Sequence, residues 1–251
     1  MLRPVGEATY DGLAALLAPI EKELVEKLAP GPGDRWLDVA TGTGATALAA
    51  ARAGADVTAI DSDELIVGKV RADAEDGGLA IEVDTGSPEY LPYEDACFDV
   101  LASNFGLVYA PDHANVAAEL ARVSCSGARL GFTAWRPNPK LGELYRRFTD
   151  EAIEGREAYE WGREDHVEDM LGDDFELDFQ DGTLWMDAGS GEELWELFST
   201  TASPVAAVLQ RLDAPAAAEF HKAFVGLYEE YRTDARIRAP RRYLLVLGRR
   251  R

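Results

Sequence analysis

The stretch Leu37-Asp38-Val39-Ala40-Thr41-Gly42-Thr43-Gly44 decides the fold of this chain. With Arg35 and Trp36 before it, it begins as a short apolar run of the kind that forms a buried strand. Two glycines follow, and after them an alanine-rich stretch to about Ala53 has the composition of a helix. A strand that passes through glycines into a helix is typical of nucleotide-binding α/β proteins, because glycine lets the backbone turn tightly and approach a ligand closely.

Strand-like and helix-like segments alternate on both sides of this stretch. Apolar residues recur at helical spacing from Leu13 to Leu28, and Pro30-Gly31-Pro32-Gly33 ends that helix. Strands are predicted at 35–40, 56–61, 80–83, 98–103, 128–135 and 243–248, and further helices at 63–74, 112–123, 192–199, 204–212 and 215–231. One more strand is expected within 175–186, broken or turned near Asp181-Gly182. This alternation of strands and helices predicts βαβ units and a parallel sheet covered on both faces.

An acid ends the second predicted strand. Asp61 stands where a carboxylate accepts hydrogen bonds from both hydroxyls of an adenosine ribose. The alternative is an N-cap on the following helix, a role that Ser62 or Asp63 could also fill. The ribose interpretation by itself does not separate one adenosine cofactor from another.

The glycine motif alone leaves several interpretations open. The run Gly42-Thr43-Gly44-Ala45-Thr46-Ala47 fits the dinucleotide pattern GxGxxA, and its glycines could also simply turn a strand into a helix. Asp38 lies inside the motif, where a carboxylate would repel a pyrophosphate and attract an ammonium group. Asp38 therefore favours a ligand with a methionine moiety over a dinucleotide.

Several further segments extend this pattern in order along the chain. They are Gly86–Tyr93 with Phe98–Val100, Asn104–Leu107, Glu119–Val123 and Gly127–Leu130. With Leu37–Gly44, they resemble class I S-adenosylmethionine-dependent methyltransferases, of the small-molecule branch that includes ubiquinone- and menaquinone-type enzymes. The resemblance is continuous from about Trp36 to Trp135. It implies an α/β, doubly wound, Rossmann-like fold with a seven-stranded, mostly parallel sheet, an antiparallel last strand and helices on both faces.

The resemblance also implies a binding site for S-adenosylmethionine. The resemblance implies that the methionine end would be contacted by Asp38, Ala40, Thr41, Gly42 and Gly44, and the ribose by Asp61 and Ser62. The adenine would be bordered by Ser87, Pro88 and Glu89, and the sulfonium by Asn104 and Phe105. One position departs from the family, which usually has an acid where this chain has Ser87. A serine hydroxyl accepts the adenine amino proton more weakly than a carboxylate does.

The residues that would act on the acceptor are less clearly marked. The cofactor supplies an activated methyl group, so the protein supplies alignment and electrostatics, and a hydroxyl acceptor would also need a base. His166, His221 and Tyr109 are the candidates, and each could instead be structural. His113, at the start of a predicted helix capped by Asp112, is expected to have a capping or surface role.

Composition narrows the partners and the location. The chain has 46 acidic and 25 basic residues, a net charge of −21, and a surface this negative repels nucleic acid. The same charge could keep the protein soluble or steer a cationic substrate. No apolar run reaches the roughly 20 residues of a membrane span, and the start of the chain lacks the layout of a secretory signal. Two cysteines without a metal-binding pattern agree with a cytoplasmic protein that has no metal site.

The sequence thus predicts one domain of 251 residues that transfers a methyl group to oxygen, nitrogen or carbon of a small molecule. Its parts are an N-terminal helical segment (1–34), a cofactor-binding core (35–135), a helical substrate cover with one strand (136–234) and a final strand (240–251). Two alternatives stay open: a nicotinamide-dependent oxidoreductase that uses the Gly42–Gly44 loop, and a non-catalytic S-adenosylmethionine-binding module.

Overall fold

A computed structural model describes residues 7–148, 157–200 and 204–251 of the chain. The helices are α1 (Glu7–Leu28), α2 (Ala45–Arg52), α3 (Glu64–Asp76), α4 (His113–Val123), α5 (Pro139–Phe148), α6 (Glu164–Leu171), α7 (Gly191–Thr200), α8 (Pro204–Leu209) and α9 (Ala214–Glu229). The strands are β1 (Arg35–Val39), β2 (Asp56–Asp61), β3 (Ile81–Thr85), β4 (Phe98–Asn104), β5 (Ser124–Trp135), β6 (Phe175–Ala188) and β7 (Ile237–Arg250). Short 3-10 helices cover Leu107–Tyr109 and Glu157–Gly162.

The strands form one seven-stranded sheet in the order β3-β2-β1-β4-β5-β7-β6. The first five strands pair in parallel, and β7 runs antiparallel to β5, with Tyr243 opposite Trp135. These observations confirm the predicted fold class. The strand order reverses between β1 and β4, and α/β proteins bind ligands at the carboxyl ends of strands beside such a reversal. The fold therefore directs attention to the ends of β1, β2 and β4.

Strand β1 lies in the middle of the core. Trp36, Leu37 and Val39 are completely buried, because helices cover both faces of a parallel sheet. Helix α4 begins at the predicted cap Asp112, and α3 begins at Asp63, one of the three residues that the sequence leaves open for that role. Each of these two acids accepts a hydrogen bond from a backbone amide in the first turn of its helix. Because Asp63 is the cap of α3, the carboxylate of Asp61 is available for another role.

Strand β6 is continuous, so the predicted break near Asp181-Gly182 is wrong. A Cβ atom at Gly182 would lie 2.0 Å from Cζ of Tyr243. The glycine therefore gives room to a tyrosine ring of the same sheet instead of turning the chain.

The described residues divide into two compact units. A core unit contains 18–136, 157–182 and 243–251, and a helical unit contains 7–17, 137–148, 183–200 and 204–242. The predicted helical cover is therefore divided, since 157–182 pack with the core strands. The assignment of the whole chain to one domain stays a prediction. In the described ranges no helix combines the length and the apolar character that crossing a membrane requires.

The helical unit has an aromatic core of its own. Phe220, Phe224 and Tyr228 lie along one face of α9 and are buried. Leu194 of α7 and Tyr145 of α5 belong to the same cluster of buried side chains. Three turns of one helix thus supply the rings around which the other helices of this unit pack.

Candidate functional site

The loop after β1 has an unusual backbone. Ala40, Gly42 and Gly44 have φ angles of 54°, 54° and 75°, which belong to the left-handed region. The amide of Thr41 donates to the carbonyl of Ile60 at 3.0 Å, and the amide of Gly44 donates to the carbonyl of Thr41 at 2.9 Å. The loop is thus wound tightly and attached to β2.

The two glycines of the loop meet different surroundings. A Cβ atom at Gly44 would lie 2.8 Å from Cγ1 of Val70, so this glycine allows the start of α2 to pack against α3. A Cβ atom at Gly42 would have no atom within 4 Å. The open space expected for a ligand therefore lies at Gly42, while the need for glycine at position 44 comes from the protein's own packing.

Asp38 is buried beneath the loop, with 1 % of its surface exposed. Its Oδ2 accepts hydrogen bonds from Oγ1 of Thr41 at 2.6 Å and from the amide of Ala47 at 3.1 Å. Burial raises the pKa of the Asp38 carboxyl to about 7, although these bonds act in the opposite direction. Asp38 therefore connects the loop to the first turn of α2 through hydrogen bonds.

Asp61 lies against the glycine loop at the end of β2. Its Oδ2 accepts a hydrogen bond from the amide of Gly42 at 2.9 Å, and its Oδ1 accepts from the amide of Asp63 at 3.1 Å. Burial raises the pKa of the Asp61 carboxyl, and its hydrogen bonds from backbone amides oppose that rise. A carboxylate has about four lone-pair positions, so these contacts leave capacity for hydroxyl groups of a ligand. Ser62, beside it, is exposed.

The end of β4 meets the end of β1. A Cβ atom at Gly106 would lie 2.5 Å from Cβ and 2.7 Å from the carbonyl oxygen of Ala40. Phe105 has a φ of 57°, and its amide donates to Oγ1 of Thr133 at 3.1 Å. That hydroxyl donates in turn to Oδ1 of Asn104 at 2.6 Å. The contact between the strand ends thus brings Asn104 and Phe105 beside the glycine loop.

The loop 86–93 also reaches this place. The amide of Gly86 donates to the carbonyl of Asp61 at 2.9 Å, which attaches the loop to β2. Oγ of Ser87 accepts from the amide of Glu89 at 3.3 Å, and Oε1 of Glu89 accepts from the amide of Asp112 at 2.8 Å. Pro88 between them is buried. The loop is therefore held between β2 and the start of α4.

Arg122 fastens the far side of this loop. Its guanidinium donates five hydrogen bonds, to the carboxylates of Glu119 and Asp95 and to the carbonyls of Leu91 and Tyr93. Glu119 accepts a further bond from the amide of Leu91 at 2.7 Å. These bonds give a structural role to Glu119 and Arg122, which belong to the segment Glu119–Val123 of the family resemblance.

Sequence reasoning missed one acid at this site. Glu21 of α1 forms a side-chain hydrogen bond with Asn104, and burial raises the pKa of its carboxyl. Its charge also acts on Asp38. The available signal was that Glu21 adjoins Ile20 and precedes Leu24, two buried residues on the apolar stripe of α1. Only the folded chain shows that α1 reaches the end of β4.

The candidate bases occupy three different settings. Nδ1 of His113 and Nε2 of His166 share a hydrogen bond at 2.9 Å, and the ring of Trp161 lies 4.9 Å from that of His113. His221 bonds to Glu192 at 2.6 Å in the helical unit. Tyr109 is 65 % exposed. In the parts of the chain that the structure describes, no hydrogen bond links His166 or His221 to the glycine loop, Asp61 or Asn104.

His113 itself differs from the expectation. It is buried, and the N-cap of α4 is Asp112, so a capping or surface role is wrong. Its neighbour His166 lies 53 positions later in the chain, and that distance conceals the pair from any local pattern.

Three aromatic rings group together next to Asn104. Phe105 stacks on Trp135 with ring centroids 4.0 Å apart. Tyr243 contacts Phe105 in a T-shaped arrangement with ring centroids 6.2 Å apart. The hydroxyl of Tyr243 donates to Glu23 at 2.6 Å. Trp135 is half-buried, so this group can offer apolar surface near the end of β4.

Comparison with known proteins agrees with this geometry. Residues 37–132 match the family model described as a methyltransferase domain. An uncharacterised protein of Mycobacterium tuberculosis is 34 % identical over 164 residues, which cover 63 % of this chain and 59 % of that protein. The ubiquinone biosynthesis O-methyltransferase of Hahella chejuensis is 34 % identical over 123 residues, or 49 % of this chain and 52 % of that enzyme.

A solved structure shares the fold over most of the chain. The geranyl diphosphate C-methyltransferase of Streptomyces coelicolor, crystallised with Mg²⁺, geranyl diphosphate and S-adenosyl-L-homocysteine, superposes with a TM-score of 0.57. The superposition covers 93 % of this chain and 77 % of that one at 16 % identity, so it shows the fold alone.

Residues 37–132 of the core unit thus match a methyltransferase domain, and the sheet has the fold of a solved methyltransferase that was crystallised with S-adenosyl-L-homocysteine. The matches span about three fifths of the length of the mycobacterial relative and about half that of the ubiquinone enzyme.

Proposed function

We propose that this protein transfers the methyl group of S-adenosylmethionine to a small-molecule acceptor. The observation that carries the proposal is the convergence of three strand ends on one place. Asp61 bonds to Gly42, and Gly106 packs on Ala40, so the ends of β2, β1 and β4 form a single site. Methyltransferase domains use this part of the fold for their cofactor, and residues 37–132 match such a domain.

The residues at this site fit the cofactor. Gly42 adjoins open space, and Asp61 retains acceptor capacity for ribose hydroxyls. We assign the methionine end of the cofactor to Ala40, Thr41, Gly42 and Gly44, which lie over the buried Asp38, and the ribose to Asp61 and Ser62. We assign the adenine to Ser87, Pro88 and Glu89, and the sulfonium side to Asn104 and Phe105. Glu89 bonds to Asp112, which supports a fixed wall on the adenine side.

S-adenosylmethionine supplies, when bound, a methyl group already activated by a positively charged sulfur. The chain's own contribution is to bind, orient and exclude water, because alignment alone lowers the barrier of such a displacement substantially. Phe105 and Trp135 offer apolar surface that can exclude water beside Asn104.

We propose an oxygen atom as the acceptor in preference to nitrogen or carbon, because the Hahella chejuensis relative is named as an O-methyltransferase. A hydroxyl must lose its proton during the reaction, which requires a base or a path to water. His166 and Tyr109 are the candidates in the core unit, and His221 is the candidate in the helical unit.

We propose further that the protein works in the cytoplasm on an acceptor that is neither nucleic acid nor membrane. Cys97 and Cys125 are free thiols, which agrees with a reducing compartment. The net charge of −21 opposes binding to nucleic acid.

The test is calorimetry with S-adenosylmethionine, followed by an assay for S-adenosylhomocysteine release with a panel of hydroxylated small molecules. We expect binding, and release that depends on the acceptor. A folded protein that binds NADH instead, detected by cofactor fluorescence, would support the oxidoreductase alternative. Binding with no release across the whole panel would support a non-catalytic module.

A further inference from the structure

The second half of α1 is fixed against the sheet. Ile20, Leu24 and Leu28 are 2 %, 0 % and 2 % exposed. The side chain of Leu28 lies over Gly131 of β5, where a Cβ atom would meet its Cδ1 at 2.9 Å. Because these contacts fix the helix, the position of Glu21 within it is fixed as well.

A chain of hydrogen bonds then orients Glu21 at the end of β4. Oδ1 of Asn104 accepts from the hydroxyl of Thr133 at 2.6 Å, so the amide NH₂ of Asn104 is the group that donates to the Glu21 carboxylate. The hydroxyl of Thr133 accepts from the amide of Phe105 at 3.1 Å. Glu21 is thus joined to the residues that border the proposed sulfonium side.

Within the described ranges 7–148, 157–200 and 204–251, no cationic side chain pairs with the acids of this site. None of the ion pairs among the described residues involves Glu21, Asp38 or Asp61. The two hydrogen bonds that Asp38 accepts come from the protein itself, and it is almost completely buried. Asp61 bonds to Gly42 at the ribose side. Of these three carboxylates, Glu21 is the one whose described bonds leave it available for a cation at the methionine end.

Resting on the proposed function, we propose that Glu21 binds the α-ammonium group of the methionine moiety of S-adenosylmethionine. An ammonium group has three donors and requires acceptors or a counter-charge when it leaves water. Asn104 holds one side of the Glu21 carboxylate, which leaves the rest of it for the ligand. The sequence predicts that Asp38 attracts this ammonium. In the present proposal, Asp38 instead stabilises the loop through its hydrogen bonds, and Glu21 binds the ammonium group.

The test compares three ligands by calorimetry with the 251-residue chain and its E21Q variant. S-adenosylmethionine and S-adenosylhomocysteine both have the ammonium, whereas 5′-methylthioadenosine lacks the amino-acid part. We expect E21Q to weaken the first two by about 10- to 100-fold, the range of a charge-assisted hydrogen bond, and to leave the third unchanged. The matched control is E26Q, which removes the same charge from an exposed position of α1 and should leave all three affinities unchanged.

Other patterns would overturn the assignment. Loss for S-adenosylmethionine alone would place Glu21 at the sulfonium, equal loss for all three ligands would make its role structural, and no loss would remove it from the site. If E21Q does not fold, E21D keeps the charge and should retain the preference for the two ammonium ligands. A wild-type protein that binds none of the three would contradict the proposed function itself, so the two failures are distinguishable.

Discussion

Oδ2 of Asp61 accepts a hydrogen bond from the amide of Gly42 at 2.9 Å. This bond joins the tip of β2 to the loop after β1, so one carboxylate both shapes the glycine loop and faces the proposed ribose position. Its removal should therefore affect the loop and the ligand together.

We expect D61A to weaken binding of S-adenosylmethionine by a few kcal/mol, because it removes a charged acceptor from the ligand and from Gly42. Calorimetry measures this loss. The control is D63A, which removes the same charge two positions later and costs about 1 kcal/mol of stability as a lost N-cap. Equal affinities of D61A and wild type would refute the placement of the ribose.

The contact between Gly44 and Val70 predicts coupled mutations. G44A should destabilise the fold, because its Cβ would lie 2.8 Å from Cγ1 of Val70 and its φ of 75° is strained for alanine. Adding V70A should recover part of that loss. Urea unfolding of the wild type, G44A, V70A and the double mutant should therefore show that the double mutant loses less stability than the two single mutants lose in sum. Additive effects would show that the contact is not the reason for glycine at position 44. G42A serves for comparison, since its Cβ enters open space and only its φ of 54° costs stability.

The raised pKa of Asp38 predicts a dependence of stability on pH. The carboxyl titrates at about 7 in the folded chain and about 4 in the unfolded chain, so folding takes up a proton between these values. Stability of the wild type should therefore fall by a few kcal/mol as pH rises from about 4 to about 7, and change little from this source above that. D38N keeps an acceptor oxygen for Thr41 and Ala47 and has no charge. Unfolding of the two proteins by urea from pH 4 to pH 8 should show the difference, and parallel curves would exclude a raised pKa.

The five hydrogen bonds of Arg122 predict a large effect for a partly exposed side chain. R122A should destabilise the protein by about 3 kcal/mol, because the carbonyls of Leu91 and Tyr93 and the carboxylate of Glu119 lose their donor. The exposed R52A is the matched control and should change stability by about 0.5 kcal/mol or less. Thermal unfolding measures both. A small effect for R122A would mean that the loop 86–93 keeps its position without this side chain.

Local signals in the sequence were sufficient for much of the fold. The structure agrees with three predictions that depend on residues near each other in the chain: the buried run before Gly42, the cap at Asp112 and the spacing of the strands. The failures come from distant partners. Gly182 looks like a turn until Tyr243 is placed against it, and His113 looks exposed until His166 covers it.

The candidate site divides in the same way. The placement of Asp61 and Asn104 at strand ends follows from the parallel sheet, which the alternating pattern predicts. The bond between Glu21 and Asn104 joins residues 83 positions apart, and nothing in the sequence near either one indicates it. Likewise, the reason for Gly44 is Val70, on a different helix.

The close approach of Gly106 to Ala40 limits how this site can change by mutation. Even alanine at position 106 would have to push apart two neighbouring strand ends. A stepwise increase in side-chain size is therefore unfavourable from its first step. A library that seeks new acceptors should therefore hold positions 40 and 106 constant and vary side chains that border open space instead.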